Sequence, residues 1–255
     1  MPESFFILSR EHLELARDEI GAIAKSYDRF AKGESYDNLV IIQSKISWET
    51  ITKRATFVKL SGKVLRKLSH LFLDEENFSQ ILNAKTFAFK TINLSSKKID
   101  VHDLEKSLGN MISIYTKAKI SLNEPEITIY FVLTDKESFF GIARSFEKPK
   151  RPVKVKKFPH ELDWKLSRTM INLAGLKEGD VICDPFCGTG STLLEAESMG
   201  IRSIGIDLDK KMLDISKQNL IANNYEVDII NADFSHLSKI SEKYDGVVTD
   251  LPYGR

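Results

Sequence analysis

The sequence predicts an α/β protein in two parts: a doubly wound parallel sheet over residues 161–255, incomplete at its C-terminal end, and an α+β region before it. Three observations carry this. After residue 160, four short apolar segments alternate with helical patterns, the order that gives a parallel sheet covered on both faces. The first of those segments runs into a turn with two glycines and then a helix, a geometry that lets backbone N–H groups surround a nucleotide-like ligand. Before residue 148 the apolar segments can instead pair back on one another as hairpins.

Taken in order, residues 4–9 predict a strand and residues 11–27 an amphipathic helix with Leu13, Ala16, Ile20, Ile23 and Ala24 on one face. Residues 38–43 predict a second strand. Residues 86–94 alternate, residues 101–115 carry a helical pattern, and residues 126–133 predict a strand with Ile127, Ile129, Phe131 and Leu133 on one face. Residues 139–143 pair back with it across 134–138. The run Lys148-Pro-Lys-Arg-Pro-Val-Lys-Val-Lys-Lys157 holds two prolines that disfavour helix and central strand, so residues 148–160 are expected to be a basic linker between regions 1–147 and 161–255. Such a run either lies along a phosphate backbone or is a solvated connector. Beyond it, residues 161–174 predict a helix with Leu162, Leu166, Met170, Leu173 and Ala174 as its buried stripe. Strands at 181–184, 203–207, 227–231 and 246–250 follow, with helices at 191–198 and 210–223 between them and Gly200 as a stop.

Composition narrows the class. The apolar run near the N-terminus is too short for a signal segment or a membrane span, so a cytoplasmic protein is expected. Two cysteines, Cys183 and Cys187, offer no disulfide framework, and His12, His70, His102, His160 and His236 have no ligand spacing, so no metal is expected. Residues 1–160 carry a net charge of +7 and residues 161–255 a net of −6. A basic first part suits a polyanion, and an acidic second part suits a cationic cofactor.

The candidate chemistry sits at the ends of the predicted strands. Gly188 and Gly190 let the chain turn sharply and let a ligand approach the backbone. Asp184, ending the first strand, is placed to hold a positively charged amino group, and Asp207, ending the second, to accept from both hydroxyls of a ribose. Asp233 is placed to meet an adenine amino group, with Phe234 beside the ring. Leu193 stands where a dinucleotide fingerprint needs its third glycine, so NAD is disfavoured.

Asp184-Pro-Phe-Cys-Gly-Thr-Gly190, Gly205-Ile-Asp-Leu-Asp209, Asn231-Ala-Asp233 and Thr249-Asp-Leu-Pro-Tyr-Gly-Arg255 resemble the S-adenosylmethionine-dependent RNA methyltransferases that carry a THUMP domain, above all the archaeal tRNA guanine-10 N2-methyltransferases. The helix at 161–174 resembles the segment before their cofactor loop, and Leu122-Asn-Glu-Pro-Glu-Ile-Thr-Ile-Tyr130 the closing part of a THUMP domain. The resemblance implies a Rossmann-like catalytic domain at 161–255 and a THUMP domain at about 70–147. It implies S-adenosylmethionine held by Asp184, Pro185, Cys187, Gly188, Gly190, Asp207, Leu208, Asp233 and Phe234. It also implies transfer to the exocyclic amine of a guanine in tRNA. Asp250 and the next carbonyl would take the two amine hydrogens, Pro252 would fix the loop, and Tyr253 would stack on the extruded base. Expected RNA contacts are Arg144, Lys148, Lys150, Arg151, Lys154, Lys156 and Lys157.

Two departures from the family pattern matter. Leu251 replaces the first proline of Asp-Pro-Pro-Tyr, which loosens the loop but keeps its carbonyl. The three further strands expected after the fourth do not follow, so the chain is expected to be a fragment or to need a complementing subunit. Other targets remain open: a ribosomal-RNA guanine or a DNA adenine, or an RNA-binding module without activity.

Overall fold

In chain order the computed structural model describes residues 1–67, 84–144, 149–159, 161–239 and 243–252. They fall into two compact units. The first comprises Met1–Leu13, Phe30–Thr50 and Val58–Glu147, and the second Glu14–Arg29, Ile51–Phe57 and Lys148–Arg255. Sequence alone assigned all of residues 1–147 to one region. The second unit instead takes in most of helix α1 (Leu13–Tyr27) and the end of helix α2 (Trp48–Arg54).

The first unit is one eight-stranded sheet. Strands β1 (Glu3–Leu8), β2 (Lys32–Tyr36), β3 (Leu39–Gln43), β4 (Val58–Lys67), β5 (Thr86–Asn93), β6 (Lys119–Ile120), β7 (Ile127–Leu133) and β8 (Ser138–Ala143) run in the order β2-β3-β1-β4-β8-β7-β5-β6. The hairpin of β7 and β8 forms as expected, with Phe131 opposite Phe140. Helix α3 (Val101–Thr116) is capped by Asp100, whose carboxylate accepts from the Asp103 amide at 3.1 Å. Its Ile112 joins Phe87, Phe89, Ile127, Ile129 and Phe140 in a core cluster. The parallel pairing of β5 with β7 and the strands β2 and β4 carried no recognisable local pattern.

The second unit holds a four-stranded, all-parallel sheet in the order β11-β10-β9-β12, built from β9 (Val181–Asp184), β10 (Arg202–Asp207), β11 (Asp228–Asn231) and β12 (Gly246–Val247). Helices α4 (Trp164–Leu173), α5 (Ser191–Ser198) and α6 (Lys210–Ile221) belong to the same unit. This is the expected doubly wound arrangement, and the fourth strand lies beside the first. Strand β12 pairs only at Gly246 and Val247, so residues 248–250, expected in the strand, lie beyond it in irregular backbone.

Helix α4 corrects the expected stripe. Its buried residues are Ser167, Arg168, Thr169, Ile171 and Asn172, whereas Leu173 and Ala174 are exposed. Arg168, Thr169 and Asn172 lie inside because each finds a partner there, whereas the buried Ser167 hydroxyl has none among the described residues. Glu19, fully buried, accepts from the Thr56 amide and hydroxyl at 3.0 and 2.7 Å, from Thr169 at 3.1 Å and from Asn172 Nδ2 at 2.8 Å. Arg54 donates to Asn172 Oδ1 at 3.0 Å and to the Leu176 carbonyl at 2.6 Å. Arg168 pairs with Glu195 at 2.8 Å. A buried polar face is tolerated when its groups are satisfied in this way.

Residues 149–159 are held along α6 by two asparagines one helical turn apart. Asn223 donates to the Val153 carbonyl and accepts from its amide, both at 2.7 Å. Asn219 does the same with Lys156, at 3.0 and 2.8 Å, and its Nδ2 also reaches the Thr189 carbonyl at 3.2 Å. The expected linker is thus a strap fixed to the second unit. Among the described residues no helix is long and apolar enough to cross a membrane.

Candidate active site

The site is built where β9 meets α5. Chain reversal there needs left-handed backbone, and Gly188 (φ 51°) and Gly190 (φ 82°) supply it without the steric cost of a side chain. The positions differ in what surrounds them. A Cβ on Gly190 would lie 2.3 Å from Ser216 Oγ, whereas one on Gly188 would meet nothing within 4 Å. Gly188 therefore opens onto free space, and its amide is turned inward to donate to Asp207 Oδ2 at 2.8 Å.

Asp207 ends β10 with both carboxylate oxygens engaged, Oδ1 accepting from the Asp209 amide at 2.8 Å. The Asn231 amide group donates to the Asp207 and Leu208 carbonyls, both at 3.0 Å, which fixes the loop after β10 against the end of β11. Beyond β11, Asp233 accepts from the Ser235 amide at 3.0 Å, and this bond keeps its carboxyl below the usual carboxylate range. Phe234 is exposed and its ring lies 5.7 Å from that of Phe186.

Asp184 is the most perturbed acid of the site. Only 2 % of it is exposed, and its Oδ1 accepts from the Phe186 amide at 3.1 Å. Burial pushes its carboxyl up to about 6; hydrogen bonds oppose that rise, and the neighbouring charge of Asp207 adds to it. Among the described residues, none of the groups that move its proton affinity is cationic. Cys187 is a packing residue, its sulfur in the core under Gly205 and its thiol pushed up, foremost by burial.

Two adjoining cavities bring these groups together. One, of about 310 Å³, is lined by Asp184, Cys187, Gly188, Thr192, Phe186 and Asp250, with Phe158 and Glu161 at its other wall. The second, of about 660 Å³, is lined by Pro185, Asp207, Leu208, Asp233, Phe234 and Pro252, and again by Phe186 and Asp250. Phe186 and Asp250 thus stand at the junction. Gly190 turns away into the packing of α5 on α6 and lines neither. Tyr253 and Lys148 lie outside the described residues.

The basic residues separate into different environments. Lys154 is not a surface cation: its ammonium pairs with Glu161 at 2.7 Å and donates to Ser191 at 2.7 Å and Thr189 at 3.1 Å. Burial works against the charge of Glu161, but Lys154, the Phe158 amide and the Thr189 hydroxyl outweigh it and hold its carboxyl low. The guanidinium carbon of Arg151 lies over Trp164, 3.5 Å from the ring centroid. Lys150, Lys156 and Lys157 are exposed on the strap, and Arg144 is exposed in the first unit. Phe186, Thr192, Glu161 and Phe158 are lining residues the sequence did not single out. Phe186 had a signal, as a neighbour of Asp184 inside the turn, whereas Phe158 and Glu161 reach the cavity through the strap and carry none.

Residues 151–255 match the family described as RMKL-like, methyltransferase domain. The chain is 32 % identical to the tRNA (guanine(10)-N2)-dimethyltransferase of Methanothermobacter thermautotrophicus, over 99 % of this chain and 78 % of the relative. It is 29 % identical to the protein of the same name from Methanocaldococcus jannaschii, over 98 % of this chain and 82 % of that one. Among solved structures it is similar to TrmN from Thermus thermophilus, with a TM-score of 0.55 at 18 % identity over 99 % of this chain and 80 % of that one.

Proposed function

The chain belongs to the tRNA (guanine(10)-N2)-dimethyltransferase family, and on that premise we propose that it transfers methyl from S-adenosylmethionine to the exocyclic amino group of a guanine in tRNA. One observation carries the reading. Asp184 and Asp207, which end β9 and β10, and Asp233 and Asp250, in the segments just after β11 and β12, line two cavities that join at Phe186 and Asp250. Carboxylates gathered at the C-terminal edge of a parallel sheet form a ligand crevice, and a buried acid raised by burial and a second acid is relieved by a cationic ligand.

The residues fit the cofactor. Asp184 faces the smaller cavity, where the open space over Gly188 admits an amino-acid moiety to the backbone. Asp207, oriented by two backbone amides, presents its carboxylate to the larger cavity for a pair of ribose hydroxyls, with Asp233 and Phe234 beyond it for the adenine. When bound, S-adenosylmethionine supplies an electrophilic methyl group on a sulfonium.

Guanine's amino lone pair is delocalised into its ring, so the task of the protein is to localise and aim it. Asp250 and the carbonyl of Leu251 accept the two amine hydrogens and hold the nitrogen toward the junction of the cavities. The proton shed on transfer passes to Asp250. Pro252 restricts the loop, and Tyr253 stacks on the extruded base. The basic N-terminal part, with a THUMP domain at about 70–147, grips the tRNA by shape and phosphate, Arg144 within it and Lys148, Lys150 and Lys156 in the basic run that follows contributing charge.

Transfer of tritiated methyl into bulk tRNA and into DNA tests the assignment. Label is expected in tRNA only. Asp250→Ala is expected to cut transfer by roughly 100-fold or more, as loss of a transition-state hydrogen-bond partner does, with cofactor affinity measured by calorimetry kept. Asp207→Ala is expected to weaken that affinity by about 10- to 100-fold, the range for a charge-assisted hydrogen bond. Label entering DNA, or full activity in Asp250→Ala, would overturn the assignment.

A further inference from the structure

A third cavity of about 330 Å³ opens beside the cofactor crevice and shares Glu161, Leu162 and Ser191 with the cavity that holds Asp184. Arg151, Lys154, Lys157 and Trp164 line it. We infer that this cavity takes a backbone phosphate of the RNA next to the nucleotide being methylated, with Arg151 on Trp164 as its principal donor. The inference rests on the proposed function and names a contact of that substrate.

The charges in the cavity sort by partner. Glu161 is bound to Lys154, Glu195 to Arg168, and Asp163 caps α4 by accepting from the Lys165 amide at 2.8 Å. Glu161 and Glu195 are thus each paired with a cation, and Lys154 is committed to Glu161, while exposed Asp163 is held by the backbone amide at the start of α4. Arg151 differs. Its guanidinium carbon sits 3.5 Å from the centroid of the Trp164 ring, a separation at which a nearly parallel stack avoids a clash and leaves the edge N–H groups for bidentate contact with phosphate. Exposed Lys157 lines the same cavity.

The strap makes this a built site. Asn219 and Asn223 bond both the amide and the carbonyl of Lys156 and of Val153, on either side of Lys154, so the segment that carries Arg151 and Lys157 is ordered before any ligand arrives. A cation on a free linker would lose conformational entropy on binding; here that loss is already met in folding. The shared wall of Glu161, Leu162 and Ser191 sets this cavity against the one that Asp250 lines, so a phosphate held here belongs to the stretch of RNA around a base at Asp250.

The test measures equilibrium binding of an unmodified tRNA transcript across about 50–200 mM salt, alongside calorimetric binding of S-adenosylmethionine and methyl transfer, for the parent, Arg151→Ala, Arg151→Lys and Lys154→Ala. Arg151→Ala is expected to bind tRNA roughly 5- to 10-fold more weakly, with a log–log salt slope shallower by about one unit, while cofactor affinity is kept and shows the fold intact. Arg151→Lys should recover the slope but only part of the affinity, since the charge returns without the planar stack. Lys154→Ala should do the opposite, weakening cofactor binding with the slope unchanged. Parental slope and affinity in Arg151→Ala, or equal slope losses in Arg151→Ala and Lys154→Ala, overturn the site. If the parent methylates tRNA and Arg151→Ala behaves as the parent does, the site alone fails. If the parent binds tRNA through Arg151 without methylating it, the proposed function alone fails.

Discussion

Asp184 shows how one residue can serve a site at the expense of the fold that holds it. Its pKa is pushed up to about 6, first by burial and then by the nearby charge of Asp207, from an ordinary value of 3.8. The folded state therefore holds this proton more tightly than the unfolded chain. The associated stability is fully present below about pH 4 and is lost as pH rises through about 6, so at neutral pH the ionised group costs roughly 3 kcal/mol. Asp184→Asn is expected to remove that loss: relative to the parent, it should gain about 2 kcal/mol or more between pH 4.5 and 7 in urea unfolding. The same change should weaken S-adenosylmethionine binding at pH 7, because the neutral amide offers no charge to the cofactor's amino group. In the parent, affinity should fall below about pH 6 as the carboxyl takes up its proton. A stability difference that is flat with pH would contradict the role given to burial here.

At the scale of elements, the turn from β9 into α5 is the most constrained piece of backbone in the site. Gly190 combines left-handed φ with a neighbour, Ser216, whose hydroxyl is fully buried and has no hydrogen-bond partner among the described residues. Gly190→Ala adds strain of about 1–2 kcal/mol for the conformation and drives the new methyl into Ser216 Oγ, so a total loss of about 2–4 kcal/mol is expected. Ser216→Ala alone should be neutral or slightly stabilising, since it removes an unsatisfied polar atom, and it should restore part of the stability lost in Gly190→Ala. Thermal melts of the two single variants and the double variant measure this coupling. The glycine turn, the acids after the strands and the strand–helix alternation of the parallel sheet were legible because local patterns encode them: an apolar run, an acid, two glycines, a helical period. Helix α4 was not. Leu162, Leu166, Met170, Leu173 and Ala174 make an apolar stripe in sequence, yet the buried face carries Thr169 and Asn172, because Glu19 and Arg54, more than a hundred residues away in sequence, supply their partners. Asn219 and Asn223 were equally silent, since an asparagine that clamps a distant backbone looks in sequence like one facing water.

For the whole molecule, the same long-range bonds decide what can stand alone. The unit with the candidate site is assembled from three stretches of chain, Glu14–Arg29, Ile51–Phe57 and Lys148–Arg255. Cutting at the apparent linker would leave β9 to β12, with the core of Ile171, Leu176, Ile182, Ala196 and Ile201, in one piece. It would remove Glu19, Arg54 and Thr56, and with them the bonds to Thr169 and Asn172, the Leu176 carbonyl bond, and the cation–π contact of Lys165 with Phe57. Water replaces those partners on the exposed face, so each lost bond counts only as its net worth of about 1 kcal/mol, but several are lost together from a stability of roughly 5–15 kcal/mol. A fragment of residues 148–255 is therefore expected to melt broadly and well below the full chain, and to bind S-adenosylmethionine at least about 10-fold more weakly, since α4 continues into the loop that leads to β9 and Asp184. Arg54→Leu in the full chain should reproduce much of the effect, at about 3–5 kcal/mol, because it strands the buried acceptors of Asn172 and Leu176. A fragment that melts cooperatively at the parental temperature and binds cofactor with parental affinity would show that the N-terminal segments only rest on this unit and do not complete it.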